Sequence, residues 1–115
     1  MKKFLIATMG ADFRRCAEKF DTGIEIDFFC MAENLDGRKY EGVSRELGKL
    51  IDSSGISGED MVLHAPFNEL HPAAIDPEAL RLARRRMEQA YHVCEDFGIR
   101  KMVVHSGYLP HVYFK

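Results

Sequence analysis

The sequence has no long apolar run, no excess of one charge sign, no paired-cysteine motif and no glycine-rich phosphate loop. Each absence argues against a class of protein. A membrane-spanning helix needs roughly 20 consecutive apolar residues, and no stretch approaches that length. The apolar run from Phe4 to Met9 resembles the start of a signal peptide, but it stops at Gly10-Ala11-Asp12, too early for one. It reads instead as a strand. Lys and Arg number 16 against 18 Asp and Glu, for a formal charge of −2. That balance gives no electrostatic footprint for nucleic acid. Cys16, Cys30 and Cys94 are odd in number and widely spaced. They argue against a disulfide framework or a zinc ribbon, and they read as reduced, partly buried thiols in a cytoplasmic protein. No tandem repeat or low-complexity segment is visible.

What is present is ordinary globular composition, 46 % hydrophobic and 30 % charged over 115 residues. That suits one small domain, residues 1–115. Residues 3–8 form a continuous apolar segment, as in a strand covered on both faces. Phe13, Cys16, Ala17 and Phe20 recur at helical spacing. Residues 24–29 alternate as a strand. Residues 31–40 are polar with a glycine, which predicts a loop. Val43, Leu47, Leu50 and Ile51 share a helical face. Residues 61–64 form a strand stopped by Ala65-Pro66. The third helix carries the clearest signals: Asp76 as N-cap, Pro77 at the first position, a stripe at Ala83, Met87, Ala90, Cys94 and Phe97, and Gly98 to close it. Glu95 and Asp96 oppose the helix dipole at that end, with no reason visible in the sequence. Residues 101–105 form a fourth strand.

The order β-α-β-α-β-α-β implies an α/β protein with a parallel sheet and right-handed crossovers. A doubly wound nucleotide fold would need a glycine-rich turn after the first strand. Here that turn reads Thr8-Met9-Gly10-Ala11-Asp12. The spacing, close to 30 residues per βα unit, matches an eight-stranded barrel of about 250 residues. The expectation is therefore the N-terminal half of a TIM barrel, a truncated domain of about four strands and three helices whose open edges would let copies associate.

Two strands end alike, in Val62-Leu63-His64-Ala65-Pro66 and Val103-Val104-His105-Ser106-Gly107. Each histidine is expected as the last strand residue. One crossover separates the strands, so they should be neighbours about 4.8 Å apart. Both imidazoles would then converge at the C-terminal rim, where barrel enzymes place their sites. His64 and His105 are accordingly the candidate metal ligands, short of the roughly four a site needs. Glu25 and Asp27 lie on the strand face opposite Ile24 and Ile26, pointing either into the lumen or to solvent, with Glu25 the better site candidate. Phe67 could stack on a sugar ring or simply pack. With Asn68, Glu69 and His71 it lies in the loop that would cover the mouth, and Tyr108, His111 and Tyr113 could line it. Arg84-Arg85-Arg86 reads as a solvated helix face or a contact with a neighbouring element. No residue is identified as the catalytic base.

At His64-Ala65-Pro66-Phe67 and Val103-Val104-His105-Ser106-Gly107 the chain resembles the xylose-isomerase-like TIM-barrel superfamily, which holds sugar-phosphate isomerases and epimerases together with endonuclease IV. The resemblance spans the whole chain and the N-terminal half of the superfamily's barrel. It implies a small sugar or sugar phosphate as substrate, bound near Glu25, Phe67 and Asn68, and a divalent metal (Zn, Mn, Mg or Co) that the half alone need not retain. In the endonuclease branch, histidines matching His64 and His105 ligate zinc. In the isomerase branch the principal ligands lie on later strands, so the catalytic set is incomplete here. Three readings follow: a metal-dependent isomerase or epimerase, a zinc phosphodiesterase acting on abasic DNA, and an inert half-barrel.

Overall fold

The computed structural model describes residues 2–110. Its element order is β1 (Leu5–Ala7), α1 (Phe13–Phe20), β2 (Gly23–Ile26), α2 (Gly37–Ser54), β3 (Met61–His64), α3 (Pro77–Phe97) and β4 (Met102–Val103), with short 3₁₀ turns at Ala32–Leu35 and Gly58–Asp60. The four strands form one parallel sheet in the order β1-β2-β3-β4. Sequential parallel strands joined by helices are the arrangement of a (β/α) half-barrel.

Strand register sorts the side chains into two faces. Ile24 pairs with Met61 and Ile26 with Leu63. These four are completely buried and pack with Leu47 and Leu50 of α2 and Ala90 and Val93 of α3. Glu25 pairs with Val62 on the opposite face. The isoleucines therefore face the helices, and the carboxylates point away from the core. Gly23 starts β2 where the chain passes closest to its neighbours. A Cβ there would overlap the carbonyl oxygen of Asp60 and the side chain of Leu5.

α3 follows its sequence signals. Asp76 Oδ1 accepts from the N–H groups of Glu78 (2.8 Å) and Ala79 (3.1 Å). At the other end Gly98 takes a left-handed conformation (φ 65°), and the Ile99 N–H reaches the Cys94 carbonyl at 2.9 Å. The acidic residues at that end have local partners. Glu95 accepts from His92 Nδ1 (2.9 Å), and Asp96 accepts from the Tyr40 hydroxyl (3.2 Å). Arg86 bridges to Asp36 at 2.7 Å and to Gln89 at 3.0 Å, so it is a contact between elements, while Arg84 and Arg85 are exposed.

Four boundaries differ from expectation. β1 spans only Leu5–Ala7 of residues 3–8, and with Phe4 and Leu5 exposed at this sheet edge it is not covered on both faces. α2 begins at Gly37 instead of residue 43, inside the stretch read as a loop. Tyr40 and Val43 extend its apolar face onto the core, and Arg86 and Gln89 hold the Asp36 carboxylate beside its first turn. β2 ends at Ile26, because the Asp27 N–H turns to the Thr8 hydroxyl (2.9 Å) and Cys30 N–H closes a turn on the Asp27 carbonyl (3.1 Å). β4 spans only Met102–Val103, so His105 lies two residues beyond its end. The expected histidine level also shifts: His64 pairs with Val103. Among the described residues, no helix is long and apolar enough to cross a membrane.

Candidate functional site

The C-terminal strand ends bring together residues from all four β/α units. His64 ends β3, and its side chain is 16 % exposed. Its Nδ1 lies 2.7 Å from Glu25 Oε1 and 3.6 Å from Asp27 Oδ1. Its Nε2 lies 2.9 Å from His105 Nε2, with the two rings stacked at 5.0 Å between centroids. The two-residue offset in register is spanned by the segment after β4, which the Ala73 N–H ties to the β3–α3 loop through the Ser106 carbonyl (2.9 Å). A neutral His64 that donates Nδ1–H to Glu25 keeps a lone pair on Nε2, and His105 donates to it. Glu25 thus sets the tautomer of the ring between them.

Phe67 closes the row. Its ring stacks on His105 at 4.6 Å and tilts against His64 at 5.2 Å. Asn68 sends its amide to Met31 Sδ (3.4 Å), linking the loops after β3 and β2. Glu69 adopts a left-handed conformation (φ 62°). His71 and Tyr108 line a cavity of about 320 Å³ with Phe67, His105 and Ser106. His111 and Tyr113 lie outside the described residues. Another cavity, about 380 Å³, opens at the opposite end of the sheet among Lys2, Arg14, Asp21, Ser53 and Asp60. Barrel chemistry belongs to the other rim.

Two participants were not read as site residues from the sequence. Thr8, at the end of β1, donates its N–H to Asp27 Oδ2 (3.0 Å), and its hydroxyl accepts from the Asp27 N–H. Cys30 points its thiol at Asp27 Oδ1 (3.8 Å) and the His64 carbonyl (3.9 Å). The available signal was the Asp-x-x-Cys spacing directly after β2, which one turn folds onto a single side. Burial, with Glu25 nearby, raises the Asp27 carboxyl above its ordinary range, against the opposing hydrogen bond from Thr8. Burial, with Asp27 and Glu25 beside it, pushes the Cys30 thiol up to about 12. One ligand atom from each of Asp27, Cys30 and His64 lies within 4.8 Å of the others, with Asp27 Oδ1 3.6 Å from His64 Nδ1 and 3.8 Å from Cys30 Sγ.

Comparison with known proteins yields no matching family model and no matching curated protein. Among solved structures, a crystal structure described as a D-tagatose 3-epimerase-like protein superposes with a TM-score of 0.66 at 23 % identity. The match covers 99 % of this chain and 41 % of that one. The chain has the fold of a (β/α) half-barrel. It spans less than half the length of that barrel protein, and at this identity the likeness concerns the fold alone. Glu25 and His64 lie in the last residues of β2 and β3, and Phe67 and His105 lie just beyond β3 and β4, at the rim where such barrels carry their sites.

Proposed function

We propose that the chain contributes to a metal-dependent isomerase or epimerase acting on a small sugar or sugar phosphate. The supporting observation is the row Glu25–His64–His105, bonded end to end at the C-terminal rim of a parallel half-barrel. Two imidazole nitrogens bound to one ion at 2.0–2.1 Å stand roughly 2.9–3.4 Å apart, depending on geometry. The 2.9 Å between the two Nε2 atoms fits that requirement. His64 and His105 would hold the ion, and further ligands would come from beyond this half. When bound, a Zn, Mn, Mg or Co ion polarises carbonyl and hydroxyl oxygens beside it.

The chain's own residues account for binding and orientation. Glu25 fixes the His64 ring by holding Nδ1–H, which keeps Nε2 available toward His105 and the lumen. Phe67 covers one side of the imidazole pair and gives an apolar wall on which a sugar's C–H face could rest. Asn68 sets the loop that carries Phe67. Glu25 and Asp27 place carboxylates beside His64 at the rim, which favours the unphosphorylated sugar over its phosphate and disfavours the DNA-directed reading. The exposed apolar residues on the edge strands, Leu5 on β1 and Val103 on β4, support edge-to-edge association with further β/α units.

The test is amide NMR of the labelled chain with manganese replaced by a diamagnetic ion (magnesium or zinc) and a panel of ketoses and their phosphates. The expected result is saturable shifts at Glu25, His64, Phe67 and His105 that disappear in His64→Ala. No saturable shift with any sugar, or shifts that persist in His64→Ala, would overturn the proposal.

A further inference from the structure

We infer that Asp27, Cys30 and His64 form a separate zinc-type cation position on the Nδ1 side of the His64 ring, with the fourth position left to solvent. It is built within this chain and does not depend on the sugar reading. Tetrahedral zinc, with Zn–S near 2.3 Å and Zn–N or Zn–O near 2.0–2.2 Å, places neighbouring ligand atoms roughly 3.3–3.6 Å apart. Here Asp27 Oδ1 lies 3.6 Å from His64 Nδ1 and 3.8 Å from Cys30 Sγ. Glu25 Oε1 sits 2.7 Å from the same Nδ1, a hydrogen bond that opens once its proton leaves.

The backbone prepares this arrangement. The turn closed by Cys30 N–H on the Asp27 carbonyl puts both side chains on one side of the chain. Thr8 occupies Asp27 Oδ2 through its N–H and hydroxyl (3.0 and 3.4 Å), which leaves Oδ1 turned toward Cys30 and His64. Such an outer partner orients a ligating carboxylate. The Asp27 side chain is 7 % exposed, against 28 % for Glu25. Thiolate and imidazole together select zinc or cobalt over magnesium or calcium.

Loading releases one proton to solvent, that of the Cys30 thiol, as the S–H bond gives way to a metal–sulfur bond. His64 keeps one proton but carries it on Nε2, from which it donates to His105 Nε2, while His105 holds its own proton on Nδ1. A metal-bound histidine ordinarily donates its other N–H in this way. An ion here therefore takes the His64 Nε2 lone pair away from the lumen, and the two positions exclude each other.

The experiment titrates cobalt(II) into the reduced, chelator-stripped full chain and follows the near-ultraviolet thiolate-to-cobalt charge-transfer band. One equivalent should saturate the band, and zinc should displace it. X-ray absorption at the cobalt edge of the unmutated protein should count one sulfur neighbour near 2.3 Å. Cys30→Ser and Asp27→Asn should lose the band while keeping their circular dichroism. Thr8→Val should weaken binding by ~10–100-fold. His105→Ala, which removes the lumen position, should retain the band, as should Cys16→Ser with Cys94→Ser. No band and no sulfur neighbour in the unmutated chain would overturn the inference, as would a band that survives Cys30→Ser.

Discussion

One chemical change, glycine to alanine, should act with opposite sign at two positions. Gly42 lies inside α2, and a Cβ there meets nothing within 4 Å. Alanine restricts the unfolded chain and suits a helix interior, so Gly42→Ala should stabilise by ~0.5–1 kcal/mol. Gly23 receives the same unfolded-state benefit. Its added methyl, however, would overlap the Asp60 carbonyl oxygen, a backbone atom in the segment leading into β3, and the Leu5 side chain of β1. Forcing atoms into a packed site costs ~1–3 kcal/mol or more. The net expectation is destabilisation of ~1–2 kcal/mol. In urea, with a slope of ~1–3 kcal/mol/M, the midpoint should rise by ~0.5 M for Gly42→Ala and fall by ~1 M for Gly23→Ala, with the slope unchanged. A Gly23→Ala midpoint equal to or above that of the unmutated protein would refute the close approach of β1, β2 and β3 from which the sheet, and the rim, are built.

Asp76→Ala removes the acceptor for two orphan N–H groups at the start of α3 and should cost ~1 kcal/mol in chemical denaturation. Leu63→Ala empties a fully buried position beneath His64, with an expected loss of ~2–5 kcal/mol by the same measurement. The hydrogen bond from Arg86, helped by Gln89, holds the Asp36 carboxyl below the ordinary aspartate range. A depressed acid contributes stability at pH above its unfolded value, about 3.9, and loses it as pH falls through the lower folded value. Asp36→Asn should therefore be less stable at neutral pH and show a flatter acid limb, read from thermal midpoints between neutral and acidic buffers.

The fold was legible where local and long-range signals agreed. The caps and stripe of α3 marked both ends, and the alternation around Glu25 gave the correct division of faces. It was less legible where a distant partner decides. Residues 37–42 become helix because Tyr40 reaches the core and Arg86, fifty residues on, takes the Asp36 carboxylate. β2 stops early because Thr8, from another strand, captures the Asp27 N–H. At the site, the pairing of His64 with His105 followed from neighbouring strands, but the stagger between them depends on where β4 ends, and the Ser106–Ala73 tie fixes that segment. Cys30 read as a reduced, partly buried thiol because the three cysteines show no spacing among themselves, and the Asp-x-x-Cys spacing gains meaning only once β2 is seen to end at Ile26. Only the turn after β2 places it beside Asp27 and His64.

The central claim is that Glu25, His64 and His105 form one bonded row at the rim. It is tested most directly by proton NMR of the histidine rings in the chelator-treated chain. The account expects cross-relaxation between ring protons of His64 and His105, and a changed His64 ring signal in Glu25→Gln. Rings that show no mutual cross-relaxation, with a His64 signal indifferent to both Glu25→Gln and His105→Ala, would contradict it.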